Sequence, residues 1–597
     1  MRRFSAIAPI LLFVALAGCA STGSDGKKPS NGDDAQAADT AAAEGADKKA
    51  PEPTSEVRAA AGKEAEETAK KKEKEEADKA KKEKEEAEKK WEKAVEDLET
   101  VEGLFKVHHS DEKLLLELSD KDFGKEFLYF GALDRGVGGS GGIYRGAMLW
   151  DNALVLHFEK RNDKKIVLVS NNTRYLEPGD ALEKKMLDEI TSEAILTAFD
   201  KVAENEDEGR YLIDLGGFFN GDNMQLARGM GSKYGVAKDL CLFPSVQAFP
   251  KNLEIGQELV VRSSTGSGGN MTMADPRSVT LRVHHSLCAL PPAGFKSREM
   301  DQRVGYFITE RRDALDMESK DPVKRFAERW RLQKKDPSAD VSDPVEPIVY
   351  WIENSTPKKW RDAVKEGIEM WEPAFRKAGF SNGIVAKQMP EDADWSPGDV
   401  RYAVVRWSAD ENLGFAIGPS RTDPRTGEIF DADITMQASF ITTYKRRFET
   451  YVQDLASMSK QEIQAQMDKI IMPQVPEDPE AAIRMCQMGG DEFLDQVAAA
   501  QAVASMMNPD FDSDEFIHAM LREVVAHEVG HTLGMRHNFK SSTWHSLAGV
   551  HDVELTSKVG MVGSVMDYNP VNLAGPGETQ GEFFPSVVGA YDMWVIE

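Results

Sequence analysis

The stretch Val524–Phe539, "VVAHEVGHTLGMRHNF", puts three histidines and one glutamate into positions 527–537 of a chain with eleven histidines in 597 residues. His527 and His531 are four apart, so on a helix their imidazoles share a face, one turn above the other, and can chelate one ion. Glu528 is offset by about 100° around that helix, close enough to reach a water at the ion without taking a coordination position. The spacing predicts a helix that begins near Ser513 or Asp514, both competent caps, and runs through "EFIHAMLREVVAHEVGHTL". Gly534 then interrupts it, because glycine readily takes the left-handed conformation that reverses a chain. The turn lets His537 return as a third ligand. Three neutral imidazoles hold Zn²⁺ and leave a fourth position open, as catalytic rather than closed structural sites do. Chance would produce His-Glu-x-x-His-x-x-Gly-x-x-His with odds on the order of one in ten thousand or less, so a helix that merely happens to carry histidines is a poor account of it.

"HEVGHTLGMRH" resembles the zinc signature of the metzincin metallopeptidases. That clan has a methionine turn beneath the zinc, and "GSVMDY" places Met566 twenty-nine positions after His537. With "DPRTGEI" at 423–429 and "FKSREMDQRVGYF" at 295–307, the chain from about Glu102 is similar to a bacterial family of zinc-dependent metzincins bearing two uncharacterised N-terminal domains. The resemblance implies an α+β fold in which a twisted mixed sheet packs on an active-site helix and a backing helix. It implies one catalytic zinc ion on His527, His531 and His537, Glu528 as general base, and Tyr568 binding zinc or steadying the tetrahedral intermediate. The implied reaction is hydrolysis of a peptide bond in a protein or peptide substrate. A catalytically inert, protease-like lipoprotein that binds or scaffolds is the alternative. The strand around Ala416, Ile417, Gly418 and Ser420 is the candidate for a cleft edge that pairs with an extended substrate. Asn538 departs from the acidic residue found there in astacins and reprolysins, so those groups do not supply the substrate preference.

The N-terminus reads as an address. After the basic "MRR" comes an apolar run, "AIAPILLFVALAG", too short to span a bilayer and right for a secretory signal over residues 1–18. Its end, "LAGC", resembles the lipobox of bacterial lipoproteins, which implies lipidation of Cys19 and attachment of the chain to the membrane by that lipid. Ala20 and Ser21 stand where an aspartate would retain such a protein at the inner membrane, so an outer-membrane lipoprotein of the cell envelope is expected. Residues 19–56 are a polar linker with almost no large apolar side chain. From 57 to 98 the chain is Ala, Glu and Lys, with "KKEKEEADKA" followed by "KKEKEEAEKK". Those residues predict a solitary charged helix, roughly 60 Å long at 1.5 Å per residue, holding the folded part away from the membrane. The formal charge of -27 argues against affinity for nucleic acid, whose phosphates attract basic surfaces.

Residues 99–344 read as a β-rich region. "KLLLELS" from Lys113, "EFLYFGAL" from Glu126, "ALVLHFEK" from Ala153 and "KKIVLVS" from Lys164 are short apolar or alternating runs bounded by turn residues. An amphipathic helix is expected over Ile190–Val202. Gly136, Gly138 and Gly141 match a dinucleotide fingerprint, but a strand-like run follows, which favours a hairpin loop. The pairs His108-His109 and His284-His285 are adjacent strand residues, which point to opposite faces and so cannot converge on one ion. His157, alternating with apolar neighbours, reads as a partly buried structural histidine. Cys241, Cys288 and Cys486 have no CxxC spacing and read as buried thiols.

Residues 345–597 read as the zinc domain. It opens on the strand in "VEPIVYWIENS". One amphipathic helix is then expected through Trp360, Val364, Ile368, Trp371 and Phe375, ending near Gly379. The stretch from Phe440 to about Pro509 reads as an insertion without chemistry. The final "AYDMWVIE" resembles the start of the last metzincin helix, so a longer protein is expected.

Overall fold

The structure is a computed structural model. It describes residues 55–597, without 139–142, 150–152, 163, 224, 266–271, 317, 410–415, 460, 463–490, 509 and 576. The signal segment 1–18, Cys19, most of the linker, Gly141 and Cys486 lie outside the described residues. The chain divides into two units at Asp78/Lys79.

In the first unit, the described residues 55–78 are all helical and belong to the helix Ser55–Val95. In the second, the same helix carries exposed Lys79–Glu83 and Lys82–Glu86 pairs four residues apart, each contributing only about 0.3–0.5 kcal/mol. Its last turns are not solitary. Trp91 is buried against Leu115, Ala203 and Leu212, and the Arg210 guanidinium lies 4.6 Å from its ring centroid. The expectation of a solitary helix is corrected for its last turns alone: one large aromatic among the alanines makes the end of the helix part of the β-rich core. No helix among the described residues is long and apolar enough to cross a membrane.

Twelve described strands between Glu99 and Ala289 form one antiparallel sheet. It curls so that its ends approach: Leu104 donates to the Phe249 carbonyl at 2.7 Å, where a Cβ on Gly103 would lie 2.4 Å from that oxygen. The face inside is apolar, with Leu116, Phe127, Phe158, Ile213 and Phe243 all buried. The helix expected over Ile190–Val202 is corrected. Asp180 caps a helix at Ala181–Ile190, and Ala194–Asn205 is a strand. Its apolar residues fit either period. What decides is that Lys165–Ser170 on one side and Arg210–Asp214 on the other offer it ladder partners. Gly136 and Gly138 lie in a hairpin loop in which Val137 donates to the Ile143 carbonyl at 2.9 Å, and not at a strand-to-helix turn. Cys241 and Cys288 are buried free thiols.

The sheet of the 345–597 region has the order Ile384–Gln388, Ile348–Ile352, Ala403–Ser408, Ile434–Gln437, Ala416–Ile417. The first four strands are parallel and the last is antiparallel. Ala416–Ile417 is therefore one edge among the described strands, and Ile384–Gln388 the other. Against the sheet pack the helix Ser513–Thr532, called here the site helix, and the backing helices Arg361–Glu369 and Glu372–Lys377. The expected single helix through Trp360–Phe375 is broken because Pro373 has no N–H to continue the ladder. Gly367 sits so close to the site helix that a Cβ would lie 2.6 Å from the Arg522 carbonyl. Packing also runs across residue 344. Tyr306, Trp330 and Leu332 lie on the same core, and Trp330 Nε1 donates to the Thr532 carbonyl at 2.8 Å. The 295–332 segment thus packs on this core while Arg312 exchanges backbone bonds with Arg174 and Leu176 of the β-rich region, so it joins the two.

Candidate metal centre and substrate cleft

The site helix is apolar on nearly every side, with Ile517, Leu521, Val525 and Val529 buried, which fits a helix at the centre of a core. Asp512, one residue before the expected cap, accepts from the Asp514 and Glu515 N–H groups at 2.8 and 3.1 Å. At the other end Gly534 has φ +98°. A Cβ there would stand 2.1 Å from the Glu328 carbonyl, so this turn requires glycine. The chain returns as expected, and His527, His531 and His537 bring ring nitrogens within 4.8 Å of one another.

Each imidazole is aimed by what its other side touches. His527 Nδ1 donates to the Val565 carbonyl at 2.7 Å, and His531 Nδ1 to the Met535 carbonyl at 2.9 Å. These bonds leave the Nε2 lone pairs facing inward. His531 Nε2 and His537 Nε2 are 3.0 Å apart, near the roughly 3.3 Å between two nitrogens on one tetrahedral ion. Burial, with neighbouring positive charge, pushes the His537 imidazole down to about 4 and holds His527 well below its ordinary value. Burial lowers His531 as well, so all three favour the neutral form, which is the one that ligates. No carboxylate is paired with these rings among the described residues, so the donor set fits a single zinc ion.

Glu528 projects from the same helix into a cleft of about 410 Å³ that the three histidines also line. Burial pushes its carboxyl up to about 8, against a hydrogen bond from the Gly418 N–H that favours the ionised form. Its Oε2 has no protein partner. The edge strand forms the opposite wall, with Ala416, Ile417, Gly418 and Ser420 all on the cleft. Gly418 permits that closeness, since a Cβ would sit 2.6 Å from the Glu528 carbonyl. Met566 is fully buried beneath the histidines, its sulfur where a Gly530 side chain would be. Tyr568 lies on the cleft, its ring 4.4 Å from that of His537 and its hydroxyl 3.4 Å from His537 Nδ1. All these expected site residues meet in one place; Cys19 lies outside the described residues.

Four contributors were not read from the sequence. Met148 reaches the cleft from the β-rich region, and Phe307 and Glu328 come from the segment before residue 345. Asp592 is buried in the last helix, where its carboxylate accepts from Ser564 Oγ and from the Val565 and Gly589 N–H groups. It holds the turn whose Val565 carbonyl fixes His527. Nothing in "AYDMWVIE" sets that aspartate apart from a surface one.

Comparison with known families agrees with this geometry. Residues 510–597 match a family described as Met-zincin. Residues 88–136 and 149–335 match two families described as domains of unknown function, DUF5118 and DUF5117. No curated protein and no solved structure matches the chain significantly. The C-terminal segment is therefore similar to the Met-zincins, of metallopeptidase type, with two domains of unknown function before it. The first of these matches starts inside the charged helix, three residues before the buried Trp91.

Proposed function

We propose that this protein is a zinc-dependent endopeptidase held at the bacterial outer membrane by a lipid on Cys19. The observation that carries the reading is the convergence of three inward-facing imidazole nitrogens with an unpartnered carboxylate oxygen of Glu528, opposite a half-buried sheet edge that lines the same cleft. His527, His531 and His537 would hold the ion. Zinc bound there supplies Lewis-acid polarisation of the scissile carbonyl and a water acidic enough to lose its proton near neutral pH. With the charge of a bound ion nearby favouring the ionised form that burial alone disfavours, Glu528 takes that proton at Oε2 and passes it to the leaving amide nitrogen. The Gly418 N–H holds the carboxylate in place for both transfers. The Tyr568 hydroxyl donates to the oxygen on which charge develops. An extended peptide pairs with Ala416–Ile417 through main-chain hydrogen bonds, a mode tolerant of sequence.

The test is metal-dependent cleavage. The purified full chain should bind one zinc per molecule and cut an unfolded protein substrate, lose both on exhaustive chelation, and regain both on adding zinc back. Retained cleavage in a chain shown to be metal-free would refute the reading.

A further inference from the structure

A second carboxylate shares the cleft with Glu528, and the hydrolytic chemistry has no use for it. Glu328 is fastened to the turn after His531: its N–H donates to the Phe307 carbonyl at 2.9 Å, and the Phe307 N–H donates to the Gly534 carbonyl at 2.7 Å. Its side chain accepts from Thr309 Oγ1 at 3.0 Å and from Thr422 Oγ1 at 3.3 Å, one hydroxyl to each oxygen. A carboxylate has about four acceptor positions, so both oxygens keep capacity for further donors.

No cation within the described residues uses that capacity. No lysine or arginine lines the cleft. Arg421, next to Thr422 in sequence, is committed to Asp431 and Asp433. Burial, opposed only by the two hydroxyls, holds the Glu328 carboxyl above its ordinary range, the signature of an acid short of a positive partner. The rest of the wall suits a long basic side chain. Phe307 is 39% exposed with its ring 5.8 Å from that of His531, an aromatic face on which an aliphatic stem or a guanidinium packs. The chain's net charge of -27 draws cationic peptides towards it.

We propose that Glu328 is the residue that sets substrate specificity, receiving a lysine or arginine side chain of the peptide held along Ala416–Ile417. The inference rests on the peptide-hydrolase reading of the same cleft and adds the substrate class: segments with a basic residue at one fixed position beside the scissile bond. Arginine is favoured over lysine, because its planar fork meets both carboxylate oxygens at once. A residue that only braces Thr309 against Thr422 would impose no such preference.

The experiment is cleavage-site profiling of a proteome-derived peptide library with the zinc-loaded full chain and its Glu328→Gln and Glu328→Lys variants. Wild type is expected to favour arginine or lysine at one position by about 10- to 100-fold in kcat/KM, the range of one charge-assisted hydrogen bond. Glu328→Gln should flatten that preference, and Glu328→Lys should replace it with aspartate or glutamate at the same position. A gain of acidic preference cannot come from a damaged fold. Cleavage by wild type without basic preference, or a preference that survives in Glu328→Gln, overturns the inference and leaves the hydrolase reading intact. A zinc-loaded wild type that cuts nothing overturns both.

Discussion

Two sets of histidines in this molecule, one fully buried and one half-buried to buried, have opposite fates. In the β-rich sheet, His284 lies between Glu254, at 2.7 Å, and Asp134, at 3.5 Å. Burial alone would lower its pKa, but the hydrogen bonds and charges of those two carboxylates push it up to about 10. Next to it but on the other face, His285 bonds Tyr129 and Gln257, and burial beside the charged His284 takes it down to about 3. At the candidate site the rings of His527, His531 and His537 meet backbone carbonyls, the Tyr568 hydroxyl and one another, but no carboxylate among the described residues. The first pair has both nitrogens occupied and is structural. The second group keeps one nitrogen each for an ion. What faces the ring nitrogens, more than the number of histidines, separates a structural cluster from a candidate metal centre.

The largest expected effect is at the metal centre. His531→Ala should lower zinc affinity by more than the roughly 100-fold that loss of an outer partner costs, and abolish cleavage; equilibrium dialysis with metal analysis reads the first directly. His284→Asn should do the reverse, leaving zinc bound one to one while reducing stability by about 3 kcal/mol, because the buried Glu254 loses its cation whereas Asp134 keeps Arg406. Denaturant unfolding measures this, and an equal loss of zinc would erase the contrast between the two clusters. The same pair gives a pH signature. Because the folded pKa of His284 is raised to about 10, its stabilisation is complete below the unfolded value of about 6.5 and is lost as pH climbs from there through 10. His284→Asn should flatten that alkaline slope in unfolding curves taken between pH 6 and 10.

Smaller still is Asp592→Asn. It weakens the support of the Val565 carbonyl behind His527 and should cost about 10- to 100-fold in zinc affinity with the zinc ligands unchanged. His157→Ala, which removes one partly buried bond to Asn171, should cost about 1 kcal/mol and leave metal binding alone.

The site was far more legible than its surroundings. The spacing of His527, Glu528, His531, Gly534 and His537 is local, so one helix and one turn determine it. Met566 and Tyr568 are placed by family resemblance, and the structure puts Tyr568 on the cleft and Met566 buried against Gly530 behind it. Glu328, Phe307 and Met148 reach the cleft through tertiary contacts made by distant segments, and no periodicity marks them. Asp592 was hidden for the same reason. Ala194–Asn205 was misread because its apolar spacing fits helix and strand alike, and only neighbouring strands settle the choice. Pro373 was visible in the sequence, but the strong three-and-four pattern around it outweighed the break it imposes.

The central claim is that Glu528 moves the proton for a zinc-assisted peptide cleavage. It is tested most directly by comparing zinc-loaded wild type with Glu528→Gln on one unfolded protein substrate, with zinc content measured in the same samples. The account predicts one zinc per chain in both and a rate about 10²- to 10⁴-fold lower in the variant. Equal rates at equal zinc content would contradict it.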